Sequence, residues 1–388
     1  MGVKHFSFNS ENGTDEFYLA VTPDRVESHF EVQMGDVFSH YLEKMKELCL
    51  SEDSAVWANI YLSDCINQEY LLREHPSFIA LDSHAAISVV EGKPVGVKLA
   101  ILVYLIRPCQ SINKRSVSMP GSYHTANGVV FGTGSIEHIV IKNMLPSKGQ
   151  TMKEQANDLF NQVECFLDKM KLPFNRLIRT WIYIRDIDKD YGDMVAERNA
   201  FFQKQGLSQS TGFPASTGIE GRSKDPKHLI MMDSLMIKGV AKGQIRRMEA
   251  LSHMCSTVDY GVTFERGMEV VYGDRRHYYI SGTASISPDG RILHGGDVVR
   301  QVERTVENIS ALLESHGAGL KDLAYLVAYI RDSEDEDKVR AALNHILSEN
   351  LPYLLVAGKV CRPGWLIEIE GTGIIKEGDK GFSPYLMV

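Results

Sequence analysis

A short strand motif occurs three times along this 388-residue chain, and this repetition constrains the fold more than any other feature. The motif reads NIYLSD at residues 59–64, WIYIRD at residues 181–186 and VAYIRD at residues 327–332. Each copy is an apolar, β-rich run that is stopped by a polar turn containing Asp. Such wide spacing predicts that the chain is built from three copies of one structural unit.

The surroundings of the three motifs repeat as well. An amphipathic helix is predicted before each motif, most clearly in the third copy, where apolar residues follow helical spacing over residues 298–313 and Asp297 is a predicted N-cap. The copies close with the predicted strands GVKLAILVYLI, HLIMMDSLMIKG and WLIEIEGTGII. Helices on one side of mostly antiparallel strands make each unit α+β.

Polar stretches that contain Pro or Gly separate the copies and set the predicted boundaries. RPCQSINKRSVSMPG follows the first copy, and KGVAKGQIRR follows the second copy. We place a degenerate first unit at residues 1–110, a second unit at 118–240 and a third unit at 245–388. Two larger domains that meet near residue 240 are the alternative.

Composition argues against several classes of function. The formal net charge is −8 and no long run of Lys or Arg occurs, so the sequence gives no support to nucleic-acid binding. The six cysteines are scattered without metal-ligand spacing, and we expect neither a metal nor another cofactor. The N-terminal residues lack the apolar core of a signal peptide, and residues 99–106 are too short an apolar run to span a membrane. We therefore expect a reduced, cytoplasmic protein that binds a small molecule and no membrane.

The last predicted strand carries the candidate for proton chemistry. Alternation along the strand that begins at residue 365 places Glu368 and Glu370 on one face of a mostly apolar run. An ionised carboxylate in such a place is costly unless it is paired or protonated. Glu368 is therefore either a proton donor or one half of an ion pair at the rim of the sheet.

Several segments carry a resemblance to a known family. They are LIEIEG with the preceding turn CRPGW, RRHYYISGTASISPDG at residues 275–290, and FPASTGIEGR at residues 213–222. Over residues 123–373 the sequence resembles the chorismatases, a branch related to the Rid, or YjgF-type, imine deaminases.

The resemblance implies tandem Rid/YjgF-like units with a chorismate-mutase-like fold. Rid proteins bury the second face of each sheet by trimerising about a three-fold axis, and their active sites lie between subunits. Three units in one chain imply an intramolecular pseudo-trimer, for which a monomer is sufficient and a dimer is also compatible. We expect one competent cleft, between the second and third units, because Met231 replaces Glu368 in the second unit and the first unit offers only Leu or Ala.

The resemblance further implies an enzyme that removes pyruvate from chorismate. Glu368 would be the general acid that protonates the enol-ether methylene, giving an oxocarbenium-like centre that water attacks. In this family a cysteine near the place of Cys361 is associated with 3-hydroxybenzoate as product, and an aliphatic residue with a dihydroxycyclohexadiene carboxylate. We therefore expect 3-hydroxybenzoate, with a small buried hydrophobe as the alternative role for Cys361.

A site for chorismate needs cations or clustered donors together with apolar walls, because the substrate is a dianion with a flat ring. The predicted substrate-binding residues are Arg222, Arg276, Arg362, Ser216, Thr217, Tyr123, Tyr279, Gly282 and Ala284. For each arginine a surface salt bridge is the alternative, and for each tyrosine the alternative is packing in the core.

Two other functions remain open. One is an imine or enamine deaminase of the broader Rid type, and the other is a non-catalytic protein that binds small aromatic acids. The Rid deaminases carry a carboxylate-binding arginine where this chain has Leu354 in the third copy and Ser216 in the second. That departure disfavours imine deamination by the usual route.

Overall fold

Three mixed β-sheets with packed helices make up the computed structural model, which describes residues 2–11, 13–108, 112–119, 127–134, 136–257 and 261–386. The three sheets share one strand order, which confirms the predicted α+β fold of repeated units. No helix in the described ranges is long and apolar enough to cross a membrane. The residue boundaries between the units stay a prediction.

The first unit begins with a hairpin and ends with the strand at the centre of its sheet. Its elements are β1 (Val3–Phe8), β2 (Asp15–Val21), α1 (Phe30–Glu47), β3 (Ala55–Leu62), α2 (Cys65–Glu74), α3 (Pro76–His84), β4 (Ala86–Glu91), β5 (Lys93–Pro94) and β6 (Leu99–Arg107). The sheet order is β1-β2-β6-β3-β4, with only β3 and β4 parallel. Asp64, which ends the first motif, caps α2 by accepting the Asn67 N–H.

The second unit repeats this order with an additional edge strand. Its elements are β7 (Asn113–Ser118), β8 (Asn127–Thr133), β9 (Ile136–Met144), α4 (Met152–Met170), β10 (Leu177–Ile184), α5 (Ile187–Lys204), β11 (Ala215–Glu220) and β12 (Ile230–Lys238). The sheet order is β11-β10-β12-β9-β8-β7, and β10 and β11 are parallel. A capping box formed by Thr151 and Glu154 starts α4.

The third unit has the same plan. Its elements are β13 (Ile245–Met248), β14 (Gly267–Val271), β15 (Arg276–Ala284), α6 (Val298–Glu314), β16 (Leu323–Ile330), α7 (Glu336–Ile346), β17 (Tyr353–Ala357) and β18 (Ile367–Ile375). Asp297 caps α6 as predicted by accepting the Arg300 N–H. Strand β18 begins at residue 367 and not at residue 365, because the Leu366 N–H donates to the Gln301 side chain at 2.8 Å.

Both faces of each sheet are buried, as alternation along β2 illustrates. Phe17, Leu19 and Val21 pack with α1 in a core that belongs to the first unit. Tyr18 and Ala20 point the other way, into a core shared by all three units. The second sheet face is therefore buried by the neighbouring units, which is the pseudo-trimer that the sequence predicts.

Equivalent tyrosines meet where the three units come together. Tyr61, Tyr183 and Tyr329 occupy the third position of the three motif copies and are completely buried. The hydroxyl groups of Tyr61 and Tyr329 lie 3.2 Å apart. Strand β5 of the first unit pairs with β17 of the third, which closes the ring of units.

Candidate active site

A cavity of about 230 Å³ lies at the seam between the second and third units. Helix α5 and strand β11 contribute Tyr191, Arg198, Ser216 and Gly218. The third unit contributes Val262, Phe264, Arg266, Gly282, Ala284, Ile286, Cys361, Arg362, Trp365 and Glu368. The predicted site residues that line this cavity are Glu368, Cys361, Ser216, Gly282, Ala284 and Arg362.

The carboxyl group of Glu368 is buried in this cavity, and no salt bridge joins it to any of the described residues. Glu368 lies on β18, opposite Ala284 of β15 and Tyr329 of β16, and is 4% exposed. Burial, and then the nearby charge of Glu370, raise its pKa from 4.5 to about 8. The group is therefore mostly protonated at neutral pH and can donate a proton.

Gly282 makes room for that carboxyl group. The Gly282 N–H donates to Thr217 Oγ1 at 3.0 Å, which holds β15 against β11 of the neighbouring unit. A Cβ atom added at Gly282 would overlap Oε1 of Glu368. Any larger residue at this position would therefore displace the carboxyl group.

Glu370 shares the strand face of Glu368 but has a different environment. Its carboxylate accepts hydrogen bonds from Arg179 at 2.5 Å, from the Thr217 hydroxyl, and from the Tyr329 hydroxyl at 3.1 Å. Arg179 and Thr217 belong to the second unit, so this buried ion pair links two units. Thr217 thus supports the site through Glu370 and Gly282 and does not line the cavity.

Three guanidinium groups line the cavity, and two of them, those of Arg198 and Arg266, were not predicted from the sequence. Arg198 on α5 is 2% exposed, and its Nε and Nη2 atoms have no hydrogen-bond partner within the described ranges. Arg266 is buried and donates to the Cys255 carbonyl oxygen at 3.1 Å. Arg362 donates to the Gly290 carbonyl oxygen at 3.2 Å and lies over the Trp365 ring at 4.8 Å.

A sequence signal for Arg198 did exist. The buried positions of α5 include Met194 four residues before it and Phe201 three residues after it. An arginine within such an apolar stripe is unusual, because a buried guanidinium needs a counter-charge. Arg266 precedes β14 in a loop and carries no comparable periodic signal.

Apolar and aromatic side chains form the remaining walls. Phe264 and Trp365 are buried, and the Trp365 indole donates to the Ser285 carbonyl oxygen at 3.1 Å, which fixes its ring. Cys361 is half-buried, and desolvation together with the charge of Glu368 raises the pKa of its thiol to about 12. Cys361 therefore contributes a neutral thiol and not a thiolate.

The other predicted residues lie elsewhere. Arg222 is half-exposed and pairs with Glu220 at 3.1 Å. Arg276 lies at the opposite end of β15 from Ala284 and pairs with Glu269 at 3.4 Å. Both arginines therefore have the salt-bridge role that was the alternative for them.

Of the two predicted tyrosines, the structure describes only Tyr279, which does not line this cavity. Tyr279 faces a small central cavity of about 30 Å³. Its hydroxyl oxygen lies 3.2 Å from Nδ1 of His277. Tyr123 lies outside the described residues.

Strand register identifies the equivalents of Glu368 in the other units. Tyr329 pairs with Glu368, while Tyr183 pairs with Met231 and Tyr61 pairs with Ala100. The carboxyl group is therefore present at only one of the three seams.

The chain is similar both to proteins that align over about half of its length and to smaller proteins that align over about a quarter of it. Residues 269–375 match the family Endoribonuclease L-PSP. A 3-hydroxybenzoate synthase of Streptomyces hygroscopicus is 27% identical over 222 residues, which is 51% of this chain and 64% of that enzyme. A RutC family protein of Pyrococcus horikoshii is 33% identical over 94 residues, which is 24% of this chain and 74% of that protein.

A solved structure matches most of the chain. The crystal structure of a chorismatase covers 83% of this chain and 93% of its own chain, with a TM-score of 0.63 and 20% sequence identity. The pseudo-trimer of three sheets is therefore a chorismatase-like fold.

Proposed function

Since this chain belongs to the chorismatase and 3-hydroxybenzoate synthase family within the YjgF/RidA superfamily, we propose that it removes pyruvate from chorismate. One observation carries the proposal. A neutral carboxyl group, Glu368, lies in a cavity that also holds the guanidinium groups of Arg198, Arg266 and Arg362. An acid beside several cations suits an anionic substrate that must be protonated on carbon.

The cations match the two carboxylates of chorismate. Arg198 has buried donor atoms that are not satisfied by the described residues, so a substrate carboxylate would supply the missing counter-charge. Arg266 and Arg362 line the third-unit side of the same cavity and would face the other carboxylate. Phe264 and Trp365 would flank the ring.

Proton transfer from Glu368 starts the reaction. The carboxyl O–H gives its proton to the methylene carbon of the enol ether, and the electron pair of the C=C bond forms the new C–H bond. The adjacent carbon becomes an oxocarbenium-like centre, whose charge is balanced by the Glu368 carboxylate that has just formed. Water adds to that carbon and returns a proton to the Glu368 carboxylate. The bond between that carbon and the ether oxygen then breaks as the new hydroxyl gives up its proton and the ether oxygen gains one, which releases pyruvate and leaves a ring alcohol.

We expect 3-hydroxybenzoate as the main product. The position of Cys361 in the cavity wall supports this choice, as does the likeness to a 3-hydroxybenzoate synthase. This route consumes no net water, because the dihydroxycyclohexadiene carboxylate left by hydrolysis would lose one ring hydroxyl and the hydrogen of the neighbouring ring carbon as water, which makes the ring aromatic. The alternative dihydroxycyclohexadiene carboxylate retains one added water molecule.

The test is incubation of the purified full chain with chorismate. Pyruvate is followed by coupled oxidation of NADH through lactate dehydrogenase, and the aromatic product is identified by chromatography. We expect pyruvate and 3-hydroxybenzoate in equal amounts. Absence of pyruvate release together with rapid hydrolysis of iminopyruvate would overturn the proposal in favour of a Rid-type deaminase.

Replacement of Cys361 tests the product assignment separately. Cys361→Ala should raise the fraction of dihydroxycyclohexadiene carboxylate while total pyruvate release stays within about threefold of the native enzyme. Cys165→Ala is the matched control, because that cysteine is exposed on α4. An unchanged product ratio in Cys361→Ala would contradict a role for this thiol.

A further inference from the structure

A second cavity, of about 280 Å³, lies at the seam between the third and first units. We infer that it is a non-catalytic binding site for a small carboxylate with an apolar, ring-sized body. The inference concerns binding alone, so it does not depend on the proposed reaction.

The second cavity occupies the position that corresponds to the candidate active site. Ala100, which takes the place of Glu368 in the strand register, lies in its wall. Leu355 pairs with Ala328 of β16, as Gly218 of the active-site cavity pairs with Ile182 of β10. Since Ala328 and Ile182 occupy the same place in their motif copies, the two cavities are related by the pseudo-three-fold arrangement.

Each of the two cavities also has at least two cationic side chains in its wall. Lys4 of β1 lies opposite Ala20 of β2. In the corresponding hairpin of the third unit, Arg266 lies opposite Ser281, whose N–H donates to the Arg266 carbonyl oxygen. Lys4 and Arg266 therefore occupy equivalent positions.

Arg340 lies on α7 and Arg198 on α5, the helices that follow the Asp of their motif copies, and each arginine lies in the wall of its cavity. The second seam therefore has no acid at the position of Glu368 but has two cations in its wall.

Lys4 has no salt bridge among the described residues, and the carboxylate of Glu349 acts on it only as the weakest of three influences. Its ammonium group lies 4.8 Å from the centre of the Tyr353 ring. Burial, and then the charge of Arg340, lower the pKa of Lys4. Arg340 itself is partly neutralised by Glu336 at 2.7 Å. An anion placed between Lys4 and Arg340 would relieve their repulsion.

The other residues of the cavity favour a ligand with an apolar body and provide no group for proton transfer. Ala20, Val95 and Leu355 offer only hydrocarbon surface, and Tyr353 adds an aromatic ring. Ala100 cannot supply a proton, so a bound molecule would leave unchanged. The similar volumes of the two cavities, about 280 Å³ and 230 Å³, favour a ligand of the size of a benzoate.

Calorimetric titration of the full chain with 3-hydroxybenzoate tests the inference. We expect two binding events in the native protein, of which Lys4→Met weakens one by at least about tenfold and Arg198→Met weakens the other. Lys93→Met is the matched control, because it removes an exposed charge on β5 outside the cavity. Thr22→Trp, which fills the cavity from its rim, should reproduce the effect of Lys4→Met.

Two outcomes would overturn the inference. One is a single binding event in the native protein that Arg198→Met removes. The other is an isotherm that neither Lys4→Met nor Thr22→Trp changes. Turnover of chorismate with only one binding event would overturn this inference while leaving the proposed function intact.

Discussion

Two seams of this molecule carry the same buried cluster, yet only one of them has a candidate acid. At the seam between the second and third units, Glu370 pairs with Arg179 and with the Thr217 hydroxyl. Strand register relates Glu370 to Asp233, because their partners Val327 and Trp181 occupy the same place in their motifs.

Asp233 lies at the seam between the first and second units. Its carboxylate accepts a hydrogen bond from Lys142 at 3.1 Å and from the Ser88 hydroxyl of the first unit at 2.8 Å. A carboxylate, a cation and a hydroxyl therefore occur at both seams, although Arg179 reaches Glu370 from the neighbouring unit whereas Lys142 belongs to the same unit as Asp233.

The difference lies two residues earlier on the same strand face. The third unit has Glu368 there, next to a cavity and without a salt bridge to any described residue, whereas the second unit has the buried Met231. A paired carboxylate holds units together, and an unpaired one is available for proton transfer. Substitutions at the two seams test this difference between the paired and the unpaired carboxyl groups.

The largest effect is expected from Glu368→Gln. The amide keeps the shape of the side chain but has no acidic proton, so kcat for pyruvate release should fall by roughly 10²–10⁴-fold. Met231→Leu, at the equivalent position of the other seam, should leave kcat within about twofold, since it exchanges apolar side chains of similar volume. Steady-state kinetics with chorismate measure both variants.

Equal losses in Glu368→Gln and Met231→Leu would show that the seams do not differ as described. Full activity in Glu368→Gln with an unchanged melting curve would remove Glu368 from the mechanism.

The paired carboxylates should matter for stability at both seams. Glu370→Gln and Asp233→Asn each leave a buried cation without its counter-charge, Arg179 in one case and Lys142 in the other. We expect each variant to lose about 3–5 kcal/mol in the free energy of unfolding, measured by denaturant titration. A loss below about 1 kcal/mol in both variants would contradict a role in assembly.

Arg198→Met should affect substrate affinity more than chemistry. Losing one charge-assisted contact of about 1.5–3 kcal/mol predicts a rise in KM of roughly 10- to 100-fold, with a smaller change in kcat. Arg222→Met is the matched control, because Arg222 is a half-exposed seam arginine outside the cavity. An unchanged KM in Arg198→Met would place the substrate carboxylates elsewhere.

The fold was predictable because its signals are local. The triplicated motif, the helical stripes and the alternation around Glu368 depend on residues that are neighbours in sequence, and strand register preserves that alternation. The seam followed from counting which copy keeps a carboxylate. Each pattern is short enough to lie within one unit, and comparing the three copies shows which of them keeps the carboxylate.

The arginines were harder to predict because their partners come from distant segments. Arg198 reaches the cavity from α5, across the seam from Glu368, and no spacing in the sequence encodes that approach. Arg222 follows Glu220 by two residues, so the sequence itself contains the local ion pair that was the alternative role for this arginine. Arg276 meets Glu269 only because β14 and β15 form a hairpin.

The smallest predicted effect is a displacement of the pH profile, and it separates the two seams most sharply. Glu368 acts as an acid only while protonated, and burial beside Glu370 raises its pKa to about 8. The rate should therefore be level near neutral pH and fall as pH rises through about 8. Removing the negative neighbour in Glu370→Gln lowers the pKa of Glu368, so the falling limb should move to lower pH.

Asp233→Asn provides the comparison for that shift. It removes an equivalent buried carboxylate at the other seam, so it should lower stability without moving the falling limb. Profiles of kcat against pH for the native enzyme and both variants, at a temperature where all three are folded, measure the difference. If the falling limb moves equally in both variants, its position depends on the net charge of the protein and not on the proximity of Glu370 to Glu368.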